Sequence, residues 1–166
     1  MRKGRNLFRD KRGIEGLPMY LIIIVVIAVA VLAAVLAMMK YITFDKPIEA
    51  TCTKITGSGN VISGEGYLVR VKAKGMERVL NIDFTAEIKV YEKNTNKPIS
   101  GATVTISGAG TAGSNKTDAT GVAKINIKGA KLEENQEEIY MRIEVKASGY
   151  QSFVDDEGIL ILRVSS

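Results

Sequence analysis

An uncharged run of 23 residues, from Leu17 to Met39, constrains this 166-residue chain more than any other feature. The run consists almost wholly of Ile, Val, Leu, Ala and Met, so a helix formed by it is apolar on every side. Such a helix is about 34 Å long, which is enough to cross the hydrocarbon core of a bilayer. The alternative is a buried helix of a soluble protein, but the remaining chain is short for enclosing one. We therefore predict a transmembrane helix within residues 14–44.

Basic residues are concentrated ahead of this run. Residues 1–13 contain six Lys and Arg against a single Asp, so they carry the whole net charge of +5. Flanks of this kind remain on the cytoplasmic side of a membrane. We therefore predict a basic cytoplasmic leader over residues 1–13, a single pass through the cell membrane and an extracytoplasmic C-terminal domain. Nucleic-acid binding by the basic tail is the less favoured alternative.

After Pro47 the apolar residues follow a two-residue period, which is typical of half-buried strands. Turns rich in Gly, Asn and Asp separate seven or eight such runs, with no amphipathic helix between them. The run from Ile159 to Val164 is apolar on both faces until Arg163, as in a central or covered strand. The pattern predicts an all-β antiparallel sandwich of immunoglobulin or transthyretin-like type over residues 45–166. The longest alternating run places six residues on one buried face: Leu80, Ile82, Phe84, Ala86, Ile88 and Val90. A second alternating run places four residues on one buried face: Tyr67, Val69, Val71 and Ala73.

Several classes of chemistry are excluded or disfavoured by composition. The chain has no His and a single Cys, Cys52, which excludes His-based catalytic triads, His-ligated metals and an intrachain disulfide. We predict no catalytic, cofactor-binding or metal-binding residues and no enzymatic activity. A calcium site formed by Asp118 and the acids of residues 155–157 requires the fold to bring them together, and we expect these acids to be solvated instead.

Glycines between Gly108 and Gly113 lack the Lys-Ser/Thr ending of a phosphate-binding loop and are expected to form a flexible hairpin loop. Beside them lies the triplet Asn115-Lys116-Thr117. We expect Asn115 to lie on this loop as a candidate N-glycosylation site.

Three stretches of the C-terminal half resemble the carboxypeptidase-regulatory-like, or transthyretin-like, β-sandwich family. They are KPISGATVTI at 97–106, TDATGVAKI at 117–125 and VKASGY at 145–150. In the second stretch Asp118 can bond to its own turn, and Gly121 tolerates a positive φ. The resemblance implies the fold, and it implies structural or adhesive work at a surface because most members of this family are such modules.

The N-terminal segment over about residues 9–39 resembles the class III signal peptides of type IV pilins, particularly the archaeal ones. Lys11, Arg12 and Gly13 precede Ile14 in the manner of a prepilin peptidase site. The resemblance implies cleavage between Gly13 and Ile14, ahead of the apolar run, so that the mature protein keeps its helix.

Glu15 is the candidate assembly contact under this resemblance. Bacterial pilins carry a glutamate at the fifth mature position, where this sequence has Pro18, and Glu15 is the nearest acid. The resemblance implies a structural pilin-like subunit of an archaeal type IV filament, inserted in the membrane before assembly, with other copies, other pilins and prepilin peptidase as partners. The alternative is a monomeric membrane-anchored extracytoplasmic binding or envelope-anchoring module, whose basic flank serves topology alone.

Overall fold

The computed structural model describes residues 16–39 and 45–165. Helix α1 spans Gly16–Met39, and its side chains from Met19 to Met39 are exposed. By length and composition the helix can cross a membrane. The boundary between two compact units of the chain falls between Phe44 and Asp45. We call the second unit the head.

Ten strands make up the described part of the head, more than the seven or eight expected from the sequence. Four of them form one sheet in the order β3-β1-β5-β8, and six form the other in the order β2-β4-β10-β9-β6-β7. The strands are β1 (Ile48–Gly57), β2 (Val61–Ile62), β3 (Gly64–Glu65), β4 (Leu68–Ala73), β5 (Val79–Glu92), β6 (Thr103–Gly108), β7 (Thr111–Lys116), β8 (Val122–Leu132), β9 (Glu138–Lys146) and β10 (Phe153–Ser165).

The predicted fold class, an apolar N-terminal helix followed by a β-sandwich, is confirmed. Its antiparallel description needs one correction, because β4 and β10 pair in parallel and make the six-stranded sheet mixed. The two strands are far apart in sequence, so the intervening chain is long enough for the crossover that parallel pairing needs. The prediction for the last strand is also confirmed, since β10 lies inside its sheet with β4 and β9 on either side.

Alternating side chains from the two sheets meet in a single core. Five of the six residues predicted for the long run are buried in β5, from Ile82 to Val90. Leu80 is the exception, with 52% of its surface exposed. The pairing of β5 with β8 is irregular between Val79 and Phe84, and Asn81 has a φ of 57°, so the alternation is broken before Ile82.

The run at residues 67–73 is also only partly correct. Val69 and Val71 are fully buried, whereas Tyr67 is 54% exposed. The strand begins at Leu68, so Tyr67 precedes it and does not share its regular pleat.

Candidate functional site

One side of the sandwich has an open strand edge. β1 pairs with β5 along its length, but on its other side only the second half meets β3, at Lys54 and Ile55. Within the described residues no strand is paired with this side of β1 from Ile48 to Cys52. This half of β1 is therefore an edge at which a further strand could pair.

Backbone polar groups point out of this edge. Val90 in β5 lies opposite Ala50 in β1, and the Val90 N–H donates to the Gly121 carbonyl at 2.8 Å. Val90 therefore turns its backbone groups away from β1, and in an antiparallel pair its partner turns away likewise. The N–H and C=O of Ala50 thus face the open side. The same alternation applies to Ile48 and Cys52.

The first half of β10 forms the opposite wall. Residues 153–155 pair with β9, and the register then shifts before Ile159 in a β-bulge. Gly158 lies in this bulge, where a Cβ atom would stand 2.5 Å from the Ile143 Cδ1 atom. A cleft of about 320 Å³ lies between this part of β10 and the open side of β1. Its lining residues are Glu49, Ala50, Thr51, Cys52, Tyr67, Ile143, Phe153, Asp155, Glu157 and Gly158.

The cleft is closed at one end by backbone bonds. The Gln151 N–H donates to the Lys46 carbonyl at 2.9 Å, and the Lys46 N–H donates to the Gly149 carbonyl at 3.3 Å. Its lining combines apolar side chains with the carboxylates of Glu49, Asp155 and Glu157. An open strand edge beside apolar side chains is the arrangement that accepts an extended peptide as an added strand.

Cys52 lines the cleft but is a poor nucleophile. Burial raises the pKa of its thiol to about 11, and the Sγ–H donates to the Gly66 carbonyl oxygen with an Sγ···O distance of 3.3 Å. A thiol with so high a pKa is protonated at neutral pH. Across residues 16–39 and 45–165, moreover, no three acidic or Cys side chains are grouped as a metal ion would require.

Asp118 and the acids of β10 are not brought together in a calcium site. The Asp118 carboxylate accepts bonds from the Thr120 N–H and hydroxyl and from the Val122 N–H, at 2.8, 2.6 and 3.1 Å. These bonds, the Thr120 hydroxyl first, lower the pKa of Asp118. Asp156 pairs with Arg142 instead. Asp118 therefore stabilises its turn, as the sequence predicts, and Gly121 there has the expected positive φ of 76°.

Asn115 lies on a strand, which corrects the prediction of a flexible loop. The segment 108–113 forms the ends of β6 and β7 joined by a tight turn at Ala109 and Gly110, both with positive φ. Asn115 is exposed on β7, and its Nδ2 donates to the Lys124 carbonyl of β8 at 2.8 Å. Its position is open to solvent, and its glycosylation stays a prediction.

The proposed processing and assembly residues Lys11, Arg12, Gly13, Ile14 and Glu15 lie outside the described residues. The cleft was not predicted, because a sequence does not show which side of β1 lacks a partner. Comparison with protein-family models, curated proteins and solved structures gives no match.

Proposed function

We propose that this chain is a structural pilin-like subunit of an archaeal type IV filament. The supporting observation is the order of its parts: a helix that is apolar on every side, followed after a few residues by a β-sandwich with its own core. That order suits a subunit whose helix lies in a filament core and whose head makes surface contacts or adheres.

Helix α1 supports the proposal because all its side chains from Met19 to Met39 are uncharged and exposed. A helix of this kind needs lipid or other apolar helices around it. Ala30, Ala33, Ala34 and Ala37 lie three and four residues apart, which lets neighbouring helices approach closely. Assembly would exchange lipid contacts for helix contacts.

The proposed topology follows from the basic leader. Residues 1–13 stay in the cytoplasm, the helix spans the cell membrane once, and the head is extracytoplasmic until the subunit enters a cell-surface filament. Prepilin peptidase would cut between Gly13 and Ile14 at the cytoplasmic face.

N-terminal sequencing of the protein from its native membrane tests this processing. The proposal predicts a mature chain that begins at Ile14, and predicts that Gly13→Leu blocks the cut because the larger side chain does not fit a site for a small residue. Leu7→Ala is the matched control, since it changes the leader without changing the scissile bond. An intact Met1 terminus in the unaltered protein would contradict the proposal.

The cleft favours a second candidate, a membrane-anchored module that holds an extended partner or an envelope layer. Such a module needs neither cleavage after Gly13 nor assembly into a filament. The Gly13→Leu variant separates the two, because an anchored module would keep its function in the membrane while a filament subunit would lose assembly.

A further inference from the structure

Strand β10 lies inside the six-stranded sheet and carries an apolar patch on the outer face of that sheet. Leu160 and Leu162 of β10 are only half-buried, although Ile161 between them is fully buried in the core. Leu160 lies opposite Leu68 of β4 on one side and opposite Tyr140 of β9 on the other. These three side chains form one row across three strands.

The next row is charged at both ends. Leu162 lies opposite Arg70 of β4 and opposite Glu138 of β9, and both charged residues are exposed. Neither takes part in an ion pair with another described residue. The alternating neighbours Val69 and Met141 are buried, which fixes both rows on the outer face. We call these two rows the β10 face: Leu68, Arg70, Glu138, Tyr140, Leu160 and Leu162.

We infer that the β10 face binds a second copy of itself around a two-fold axis parallel to β10. A rotation about that axis exchanges the β4 side of one copy with the β9 side of the other. Arg70 then faces Glu138 of the second copy, and Leu68 faces its Tyr140. Leu160 and Leu162 lie on the axis and face their own counterparts.

The charge pattern favours this axis. A two-fold axis across the strands would place β4 on β4, and where it passes through the charged row it would bring the Arg70 side chains together and the Glu138 side chains together. The axis along β10 gives two opposite-charge pairs beside an apolar centre, which is the self-complementary pattern of an isologous interface. Two sheets packed face to face also keep their strands within about 30° of each other, as this axis requires.

The same axis is compatible with two chains that are anchored in one membrane. Lys46 bridges in parallel to Tyr150, just ahead of β10, so the start of the head lies near the N-terminal end of that strand. Rotation about an axis along β10 does not change the position along the strand, so the N-terminal ends of β10 in the two copies lie side by side. Both copies of Lys46 therefore lie at the same end of the pair.

Site-specific disulfide formation in the full chain, in isolated membranes, tests this pairing. In a Cys52→Ala background, Leu162→Cys places two thiols on the axis, and we expect a strong disulfide-linked dimer on oxidation. Thr105→Cys is the matched control on the same face. It lies on β6, two strands from β10, so its two copies would stand about 19 Å apart. Equal dimer yields at both positions, or no dimer at Leu162→Cys, would overturn the inference.

Charge reversal gives a second, independent measurement. Arg70→Glu or Glu138→Arg alone, each in the Leu162→Cys background, places like charges together and should lower the yield about tenfold. Co-expression of the two variants should restore the mixed dimer, since each copy then supplies the complement of the other. Restoration also shows that both variants fold. Failure of the mixed pair to recover would overturn the inference, and neither result depends on cleavage after Gly13.

Discussion

Thr117 lies buried against Ile99, and its hydroxyl donates a hydrogen bond of 2.6 Å to the Ile99 carbonyl. The same hydroxyl oxygen accepts a bond of 2.9 Å from the Ala102 N–H. One side chain directly after β7 thus satisfies two backbone polar groups of the turn that enters β6. We expect this buried contact to hold the β6–β7 hairpin in register.

Thr117→Val should lower the free energy of unfolding of the head by about 2 kcal/mol, because it leaves a buried carbonyl and a buried N–H unpaired. Thr117→Ser keeps the hydroxyl and should cost clearly less. Urea denaturation of residues 45–166 measures both. Equal stability of the two variants would show that the hydrogen bonds contribute nothing.

Gly121 and Gly129 form a matched pair for testing backbone crowding. Both have positive φ, 76° and 71°, but a Cβ at Gly121 would stand 2.7 Å from the Val90 carbonyl oxygen, whereas nothing lies within 4 Å of one at Gly129. Gly129→Ala should cost only the backbone strain, about 1 kcal/mol. Gly121→Ala should cost at least about 1 kcal/mol more, because the strand must shift. Thermal unfolding of the two variants compares them directly, and similar melting temperatures would contradict the packing described.

The buried thiol of Cys52 should stabilise the folded head at neutral pH but not at strongly alkaline pH. Its folded-state pKa of about 11 lies above the ordinary value of 9.0, so its favourable contribution is present below pH 9 and declines as the pH rises through about 11. We expect the alkaline loss of stability to be smaller in Cys52→Ala than in the unaltered head. Denaturation midpoints at pH 8 and pH 11 measure this difference. Equal losses in both proteins would show that the thiol is not buried as described.

Glu15→Gln tests the proposed subunit contact. After cleavage the new α-amine of Ile14 would lie beside the Glu15 carboxylate of a neighbouring subunit, and a partly desolvated pair is stronger than an exposed one. The variant should insert in the membrane normally but yield several-fold fewer filaments by electron microscopy. Asp10→Asn is the charge-matched control, since it removes the same negative charge from the leader that is cleaved off. Normal filament numbers for Glu15→Gln would exclude this role.

The sequence predicts local features of the head better than its long-range pairing. Strict alternation identified the buried residues from Ile82 to Val90, because each sheet of a sandwich buries one face. It failed at Leu80, where the irregular backbone near Asn81 interrupts the pleat. The segment with Asn115 was expected to be a loop, since Gly-rich and polar residues rarely form strands, yet pairing with β6 overrides that tendency.

Neither the cleft nor the β10 face could be predicted from the sequence. Arg70, Leu162 and Glu138 form a row only because β10 lies between β4 and β9, and β4 comes from a distant part of the chain. The one available signal was that Ile159–Leu162 is apolar on both faces. That signal indicated a central or covered strand but did not indicate what meets its outer side.

Shearing of filaments from the surface of cells that express the native chain tests the central proposal most directly. Electron microscopy with antibodies against residues 45–166 should show labelled filaments, and the chain recovered from them should begin at Ile14. A chain that stays wholly in the membrane fraction with its Met1 terminus intact, while sheared filaments remain unlabelled, would contradict the proposal.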